Sequence, residues 1–181
     1  MNPIYWPIDD EAFVRTYTPD DAEEVFALVD ANRERLDPWM PWIRSTRSPA
    51  DTREFIERGI ASVHDLDANG IWVGRRVAGS IGMRVDPLSN GGDIGYWLGG
   101  EFEGRGLVTR ACRLFLDHAF GTLGLHRMSL KADVENVRSR AVAERLGFRY
   151  EGTLRGAGLV QGDRYVDMAV YGLLEDEWPR S

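Results

Sequence analysis

Two glycines, Gly104 and Gly106, stand between an apolar stretch at residues 93–98 and a run in which Leu107, Ala111, Leu114, Phe115 and His118 recur at helical spacing. The turn reads Glu103-Gly104-Arg105-Gly106-Leu107-Val108-Thr109-Arg110. Without Cβ atoms in the way, a ligand can approach the main chain closely. The start of the following helix offers unpaired N–H groups and the positive end of its dipole. Such a corner suits an anion, most naturally a phosphate; the same residues also suit a strand-to-helix connection that binds nothing. Two better-known phosphate loops are excluded. Thr109 stands where a dinucleotide fingerprint has its third Gly or Ala, and no Gly-Lys-Ser/Thr triplet closes a Walker loop.

A second constellation lies some way downstream: Asn136-Val137-Arg138-Ser139, then Glu144-Arg145-Leu146-Gly147-Phe148, then Glu151-Gly152. Asn136 and Ser139 are three apart at a predicted helix start, which is also plain capping chemistry. Asp93, Glu101 and Asp167 are carboxylates that could accept a proton, or could be solvated or ion-paired. His64, His118 and His126 do not cluster with acids at metal-ligand spacing, so no metal is expected. A Ser-His-Asp hydrolase lacks its Gly-x-Ser-x-Gly elbow.

The elements that must hold these residues follow from local pattern. Residues 1–11 read as an irregular arm, ahead of a core at about 12–175, and residues 12–16 as a first strand. Thr18-Pro19-Asp20-Asp21 and Ser48-Pro49-Ala50-Asp51 are helix starts, with a capping hydroxyl, a proline and first-turn acids. The first helix is expected to stop by Asp37-Pro38 and the second at about His64. Trp39-Met40-Pro41-Trp42 is too proline-bound for a regular element; it is either a loop packing indoles on the core or the wall of a substrate groove. Asp67-Ala68-Asn69-Gly70 reads as a turn. Strands at 71–75, 77–85 and 93–98 lead to the glycine loop. Its helix runs to about Phe120, a strand at 126–134 follows, and Asn136 caps a helix that ends at Gly147. A hairpin at 150–160 and 164–173 turns about Gln161-Gly162-Asp163. The order β-α-α-β-β-β-α-β-α-β-β predicts an α/β fold with a mixed sheet and helices on both faces.

Composition narrows the classes. The 181 residues suit one domain with a sizeable core, and 43% apolar with 28% charged residues is a globular balance. A net charge of −7 argues against a general nucleic-acid or membrane-surface binder. Residues 105–149 nevertheless carry nine Lys/Arg against four acids, a +5 window that leaves −12 for the rest. The patch surrounds the glycine loop and suits an anionic ligand. The acidic remainder suits either a basic acceptor or ordinary solvated helices. One cysteine excludes an internal disulfide and a Cys-based zinc site. No signal peptide and no apolar run near ~20 residues is visible, so a soluble, cytoplasmic setting is expected.

Taken together, the glycine loop, Ile94-Gly95-Tyr96-Trp97, and the Asn-x-x-Ser…Gly-Phe…Glu-Gly run resemble the GNAT acetyltransferases, and within them the RimJ/RimL-like protein N-acetyltransferases. The resemblance spans about Phe13 to Trp178. Glu103 stands where the family loop carries Gln or Arg, and Val108 where it carries a small residue. The resemblance implies a mostly antiparallel GNAT sheet of about seven strands and acetyl-coenzyme A as co-substrate. It implies that Gly104, Arg105, Gly106, Leu107, Val108 and Thr109 cradle the pyrophosphate. The pantetheine arm would lie by Trp97 and Leu98, where two strands splay, with Asn136 on the arm and Ser139 as proton donor to the leaving thiolate. Asp93 holds a position where some relatives carry a carboxylate, and Trp39, Trp42 and Tyr96 fall in the acceptor region. The expected acceptor is a protein N-terminus, a ribosomal protein foremost, and a homodimer is the family expectation. A small amine such as an antibiotic, polyamine or amino acid is the alternative acceptor, and a non-catalytic acyl-coenzyme A sensor the alternative class.

Overall fold

The computed structural model describes residues 3–62 and 65–179. One sheet of eight strands carries the fold, in the order β1-β2-β3-β4-β5-β6-β8-β7. Five strands, β1 (Tyr5–Pro7), β2 (Ala12–Thr16), β3 (Leu66–Val73), β4 (Arg76–Asp86) and β5 (Gly91–Leu98), run antiparallel in succession. A second antiparallel group contains β6 (Arg127–Asp133), β7 (Arg149–Val160) and β8 (Arg164–Leu174), with β8 in the middle. The two groups join where β5 and β6 pair in parallel over three rungs, Gly91↔Arg127, Gly92↔Met128 and Asp93↔Ser129. From Ile94 and Leu130 onward β5 and β6 share no further rung, so a gap opens in the middle of the sheet.

Helices α1 (Ala22–Ala31), α2 (Arg33–Leu36) and α3 (Pro49–Ala61) precede β3, and α4 (Leu107–Asp117) and α5 (Val137–Arg145) flank β6. Helix α3 begins as its sequence demands: the Ser48 hydroxyl accepts the Asp51 N–H, and the Asp51 carboxylate accepts the Ser48 N–H. Helix α4 buries Leu107, Ala111, Cys112, Phe115 and Leu116 on one stripe. Opposite them Ile71, Ile81, Met83, Met128 and Leu130 are fully buried in the sheet, each side chain contributing about 1.5–3 kcal/mol by burial.

Strand parity assigns the two faces. Tyr96 of β5 reaches Ser139 of α5, whereas an added Cβ on Gly99, odd-numbered like Trp97, would meet Leu28 of α1 at 2.9 Å. Even-numbered side chains of β5 therefore point towards α4 and α5, and odd-numbered ones towards α1.

Three expectations are corrected. The N-terminal arm is not wholly irregular: Tyr5–Pro7 pairs with β2 and makes an eighth strand, with Tyr5 stacked on Phe13 at 5.0 Å. Asp67-Ala68-Asn69-Gly70 is not a turn but part of β3. A register shift between Leu66 and Asn69 accommodates the first two residues. The Asn69 amide serves the interior, accepting from Thr16 and donating to the Leu66 carbonyl. Gly70 is needed for closeness, since a Cβ there would stand 2.5 Å from the Tyr17 ring. The helix expected up to Asp37 breaks at Asn32 into α1 and α2. Helix α3 ends at Ala61; the expected end at His64 lies outside the described residues.

Candidate active site

The glycine loop joins β5 to α4 through a 3-10 turn at Gly100–Phe102. Gly104 and Gly106 take φ of +76° and +69°, the left-handed region that glycine enters freely. An added Cβ at either would meet nothing within 4 Å, so both face open space. Among the described residues, no protein acceptor takes the N–H groups of Arg105, Gly106, Leu107, Val108 and Thr109; the first amide of this corner to bond inward is Arg110, to the Gly106 carbonyl at 3.1 Å. Five successive free donors at the positive end of a helix form an anion cradle. Val108 leaves this row of donors intact, because a main-chain amide is the same whatever its side chain.

Arginines brace the cradle. Arg110 donates to the Arg105 carbonyl at 3.0 Å and is held by Asp9. Arg145 of α5 donates to Thr109 Oγ1 at 3.0 Å. Glu103 lies between Arg35 of α2 at 2.9 Å and Arg138 of α5 at 2.7 Å, so the substituted carboxylate serves as a strut. Arg35 also donates to the Leu98 carbonyl, and Asn32 accepts the Gly100 N–H. The sequence reading missed Arg35 and Asn32; the only signal was the acid at position 103, which calls for a cation whose location the chain order does not reveal.

The gap continues the cradle. Gly99 donates to Ala78, the rung after Gly79↔Leu98. By antiparallel alternation, Trp97 then bonds towards β4, while the N–H and C=O groups of Ile94, Tyr96 and Leu98 turn the other way, into the gap. The Leu98 carbonyl found there by Arg35 fits that alternation. Leu98 thus offers main chain to the gap, whereas Trp97 offers a side chain to the opposite layer.

On the α5 side, Asn136 and Ser139 meet as a helix cap, the Ser139 N–H donating to Asn136 Oδ1 at 3.1 Å. The Ser139 hydroxyl lies 3.0 Å from the Tyr96 phenol, which also reaches the Ser139 carbonyl at 3.3 Å. Burial pushes the Tyr96 phenol far above its ordinary pKa, so it stays protonated. The buried Cys112 thiol is likewise held neutral by burial.

The other face carries the aromatic segment. Pro41–Arg44 forms a 3-10 turn that buries Ile43, and the Trp42 ring tilts against Trp97 at 6.0 Å. Trp39 is half-buried, its N–H bonded to the Leu36 carbonyl. Asp93 lies at the closed end of the gap, 3.3 Å from Lys131 Nζ and half-exposed. Its side chain leaves β5 on the face opposite Tyr96, so the structure does not bring Asp93 to Ser139. Tyr96 likewise lies across the sheet from Trp42. Glu101 pairs with Arg76, and Asp167 accepts the Gly156 N–H.

The parted sheet beside a glycine-rich helix start is the arrangement that the resemblance implies, and comparison with known proteins identifies the family. Residues 12–149 match the model of the acetyltransferase (GNAT) domain. YdaF of Bacillus subtilis (strain 168), provisionally named a ribosomal N-acetyltransferase, is 35% identical over 94% of this chain and 95% of its own length. The ribosomal-protein-serine acetyltransferase of Escherichia coli (strain K12) is 28% identical over 84% of this chain and 86% of its own. Among solved structures, the microcin C7 self-immunity acetyltransferase MccE, in complex with acetyl-CoA and AMP, superposes with a TM-score of 0.84 at 30% identity, over 92% of this chain and 94% of its own. The chain belongs to the GNAT family and is an N-acetyltransferase that uses acetyl-coenzyme A.

Proposed function

We propose that this enzyme acetylates the N-terminal α-amine of a protein, a ribosomal protein foremost, in the cytoplasm and as a homodimer. The observation that carries acetyl transfer is the continuity of five free amides at Arg105–Thr109 with a gap whose wall holds Tyr96 and Ser139. A ribosomal-protein acceptor draws support from the names of the two relatives above.

The residues fit the co-substrate. The loop amides hold the diphosphate, and the gap-facing main chain of β5 lies along the pantetheine arm. A free amine attacks the thioester carbon, the carbon–nitrogen bond forms, and the carbon–sulfur bond breaks with its electrons going to sulfur. Gap-facing N–H groups of Tyr96 or Leu98 receive the charge that develops on the carbonyl oxygen. Ser139 hydrogen-bonds the sulfur as it becomes anionic. Among the described residues, no carboxylate is hydrogen-bonded to the Ser139 hydroxyl, whose partner is the Tyr96 phenol. An α-amine with a pKa of about 8, against about 10.4 for lysine, can lose its proton to water near neutral pH, which favours an N-terminal acceptor over a lysine.

The test is a panel of N-terminal peptides and small amines, polyamines and amino acids included, assayed for thiol release from acetyl-coenzyme A. Peptides should surpass the small amines in kcat/KM. Preference for a small amine would overturn the acceptor assignment and leave the transferase intact.

A further inference from the structure

We propose that Tyr96 is a positioning residue for the proton donor: its phenol sets the direction in which the Ser139 hydroxyl points its proton. This rests on Ser139 as the group that meets the sulfur. Two hydroxyls 3.0 Å apart share one hydrogen bond, and the phenol has a second acceptor in the Ser139 carbonyl at 3.3 Å. Two arrangements follow. With the phenol donating to the carbonyl, Ser139 donates to the phenol oxygen and has no proton for anything else. With the phenol donating to Ser139 Oγ, the serine proton is free to turn into the gap. A rotation of each hydroxyl interconverts them, and no heavy atom changes place.

Negative charge on sulfur selects the second arrangement. As the carbon–sulfur bond breaks, the serine O–H turns to the sulfur, and the phenol O–H turns to the serine oxygen. If the serine proton passes to sulfur, the phenol hydrogen bond is already on the oxygen that becomes anionic, and water later restores that proton. The phenol can do this at any working pH because burial keeps it protonated.

The placement on β5 strengthens the argument. Tyr96 sends its main-chain N–H into the gap and its side chain to α5. One residue therefore fixes both a candidate donor to the carbonyl oxygen and the orientation of the donor to sulfur. The carbonyl oxygen and the sulfur are both bonded to the acyl carbon until the carbon–sulfur bond breaks, so their two donors must be held at a fixed spacing up to that point. Ser139 is itself fixed in the first turn of α5, where its N–H donates to the capping Asn136 Oδ1.

The experiment compares Tyr96→Phe, Ser139→Ala and the double variant, using the best amine from the panel. Phenylalanine keeps the ring, and matching acetyl-coenzyme A affinity verifies folding. Tyr96→Phe should lower kcat about tenfold with unchanged coenzyme affinity, as expected for one hydrogen bond to a developing anion. The same change in the Ser139→Ala background should do nothing further. Equal losses in both backgrounds would mark a structural role and overturn the proposal, as would an unchanged Tyr96→Phe kcat. A second readout needs no acceptor: the thiol of bound coenzyme A, followed by thiolate absorbance against pH. Both single variants should raise its titration point, by about one pH unit for a tenfold effect, and the double variant no more than Ser139→Ala. If Ser139→Ala leaves kcat and titration untouched, the serine assignment fails and the phenol's role with it. If only Tyr96→Phe is silent, the phenol's role alone fails.

Discussion

The proposed coenzyme face and the proposed acceptor face of this molecule are built from different materials. The first is main chain: free amides at Arg105–Thr109, gap-facing groups of β5, and short polar side chains at a helix start. The second is side chain: Trp42 on Trp97, and Asp93 paired with Lys131. Main-chain groups are present whatever the residue, so a coenzyme site tolerates Glu103 and Val108 in unusual places. Side-chain walls change with every substitution. One fold can therefore keep a donor fixed while its acceptor varies among relatives.

The largest effect expected of any single change falls on the first face. Gly106→Val places a β-branched residue at φ +69°, a conformation costing a non-glycine residue about 1–2 kcal/mol, and points its methyls at the cradle. Acetyl-coenzyme A affinity should fall at least about 100-fold by calorimetry, as suits loss of an anion site. Binding within about threefold of wild type would show that the diphosphate lies elsewhere. Trp42→Ala should do the opposite. Acceptor KM should rise about tenfold, roughly 1.4 kcal/mol, while coenzyme affinity stays constant. An equal change in both constants would erase the distinction between the faces.

The same division decided what could be read from the chain. Gly104 and Gly106 announce a sharp loop ahead of a helix, and both take the positive φ that favours glycine. Asn136 and Ser139 announce a helix start by local chemistry. The order of elements along the chain followed from alternation and turns, apart from the strand at Tyr5–Pro7, whose three residues are too few for a pattern, and the helix break at Asn32. Asp67–Gly70 misled because Asn and Gly have interior uses as well as turn uses. Contacts between distant segments left no mark: Arg35 on Leu98 spans 63 positions and the Tyr96–Ser139 pair spans 43. The residue types at 96 and 139 were visible; the hydrogen bond between them was a product of the fold.

A smaller effect tests whether Glu103 belongs to the ligand or to the frame. Its carboxylate is held by Arg35 and Arg138. If it is a strut, Glu103→Gln frees two arginines beside the diphosphate. Coenzyme affinity should then change by no more than about threefold, in the favourable direction at low salt, because exposed pairs are worth about 0–1 kcal/mol. A loss of tenfold or more would mean that the carboxylate itself contacts the coenzyme.

The smallest effect concerns Asp9, which reaches from the N-terminal segment to Arg110 beside the cradle. The hydrogen bond from Arg110, helped by the N–H groups of Glu11 and Ala12, lowers its pKa to about 2. A carboxylate whose folded pKa is depressed contributes stability that is present above its unfolded value of about 3.9 and is lost as pH falls through the folded value. The melting temperature of Asp9→Asn should therefore lie slightly below wild type at pH 6, and the two should converge as pH falls towards 2. The difference should be small and should shrink in high salt, since both partners are exposed and surface pairs are screened. Coenzyme affinity should hold within about twofold, because Arg110 keeps its bond to the Arg105 carbonyl without Asp9. A gap in melting temperature that persists at pH 2 would place the effect in packing of the N-terminal segment and not in the ion pair.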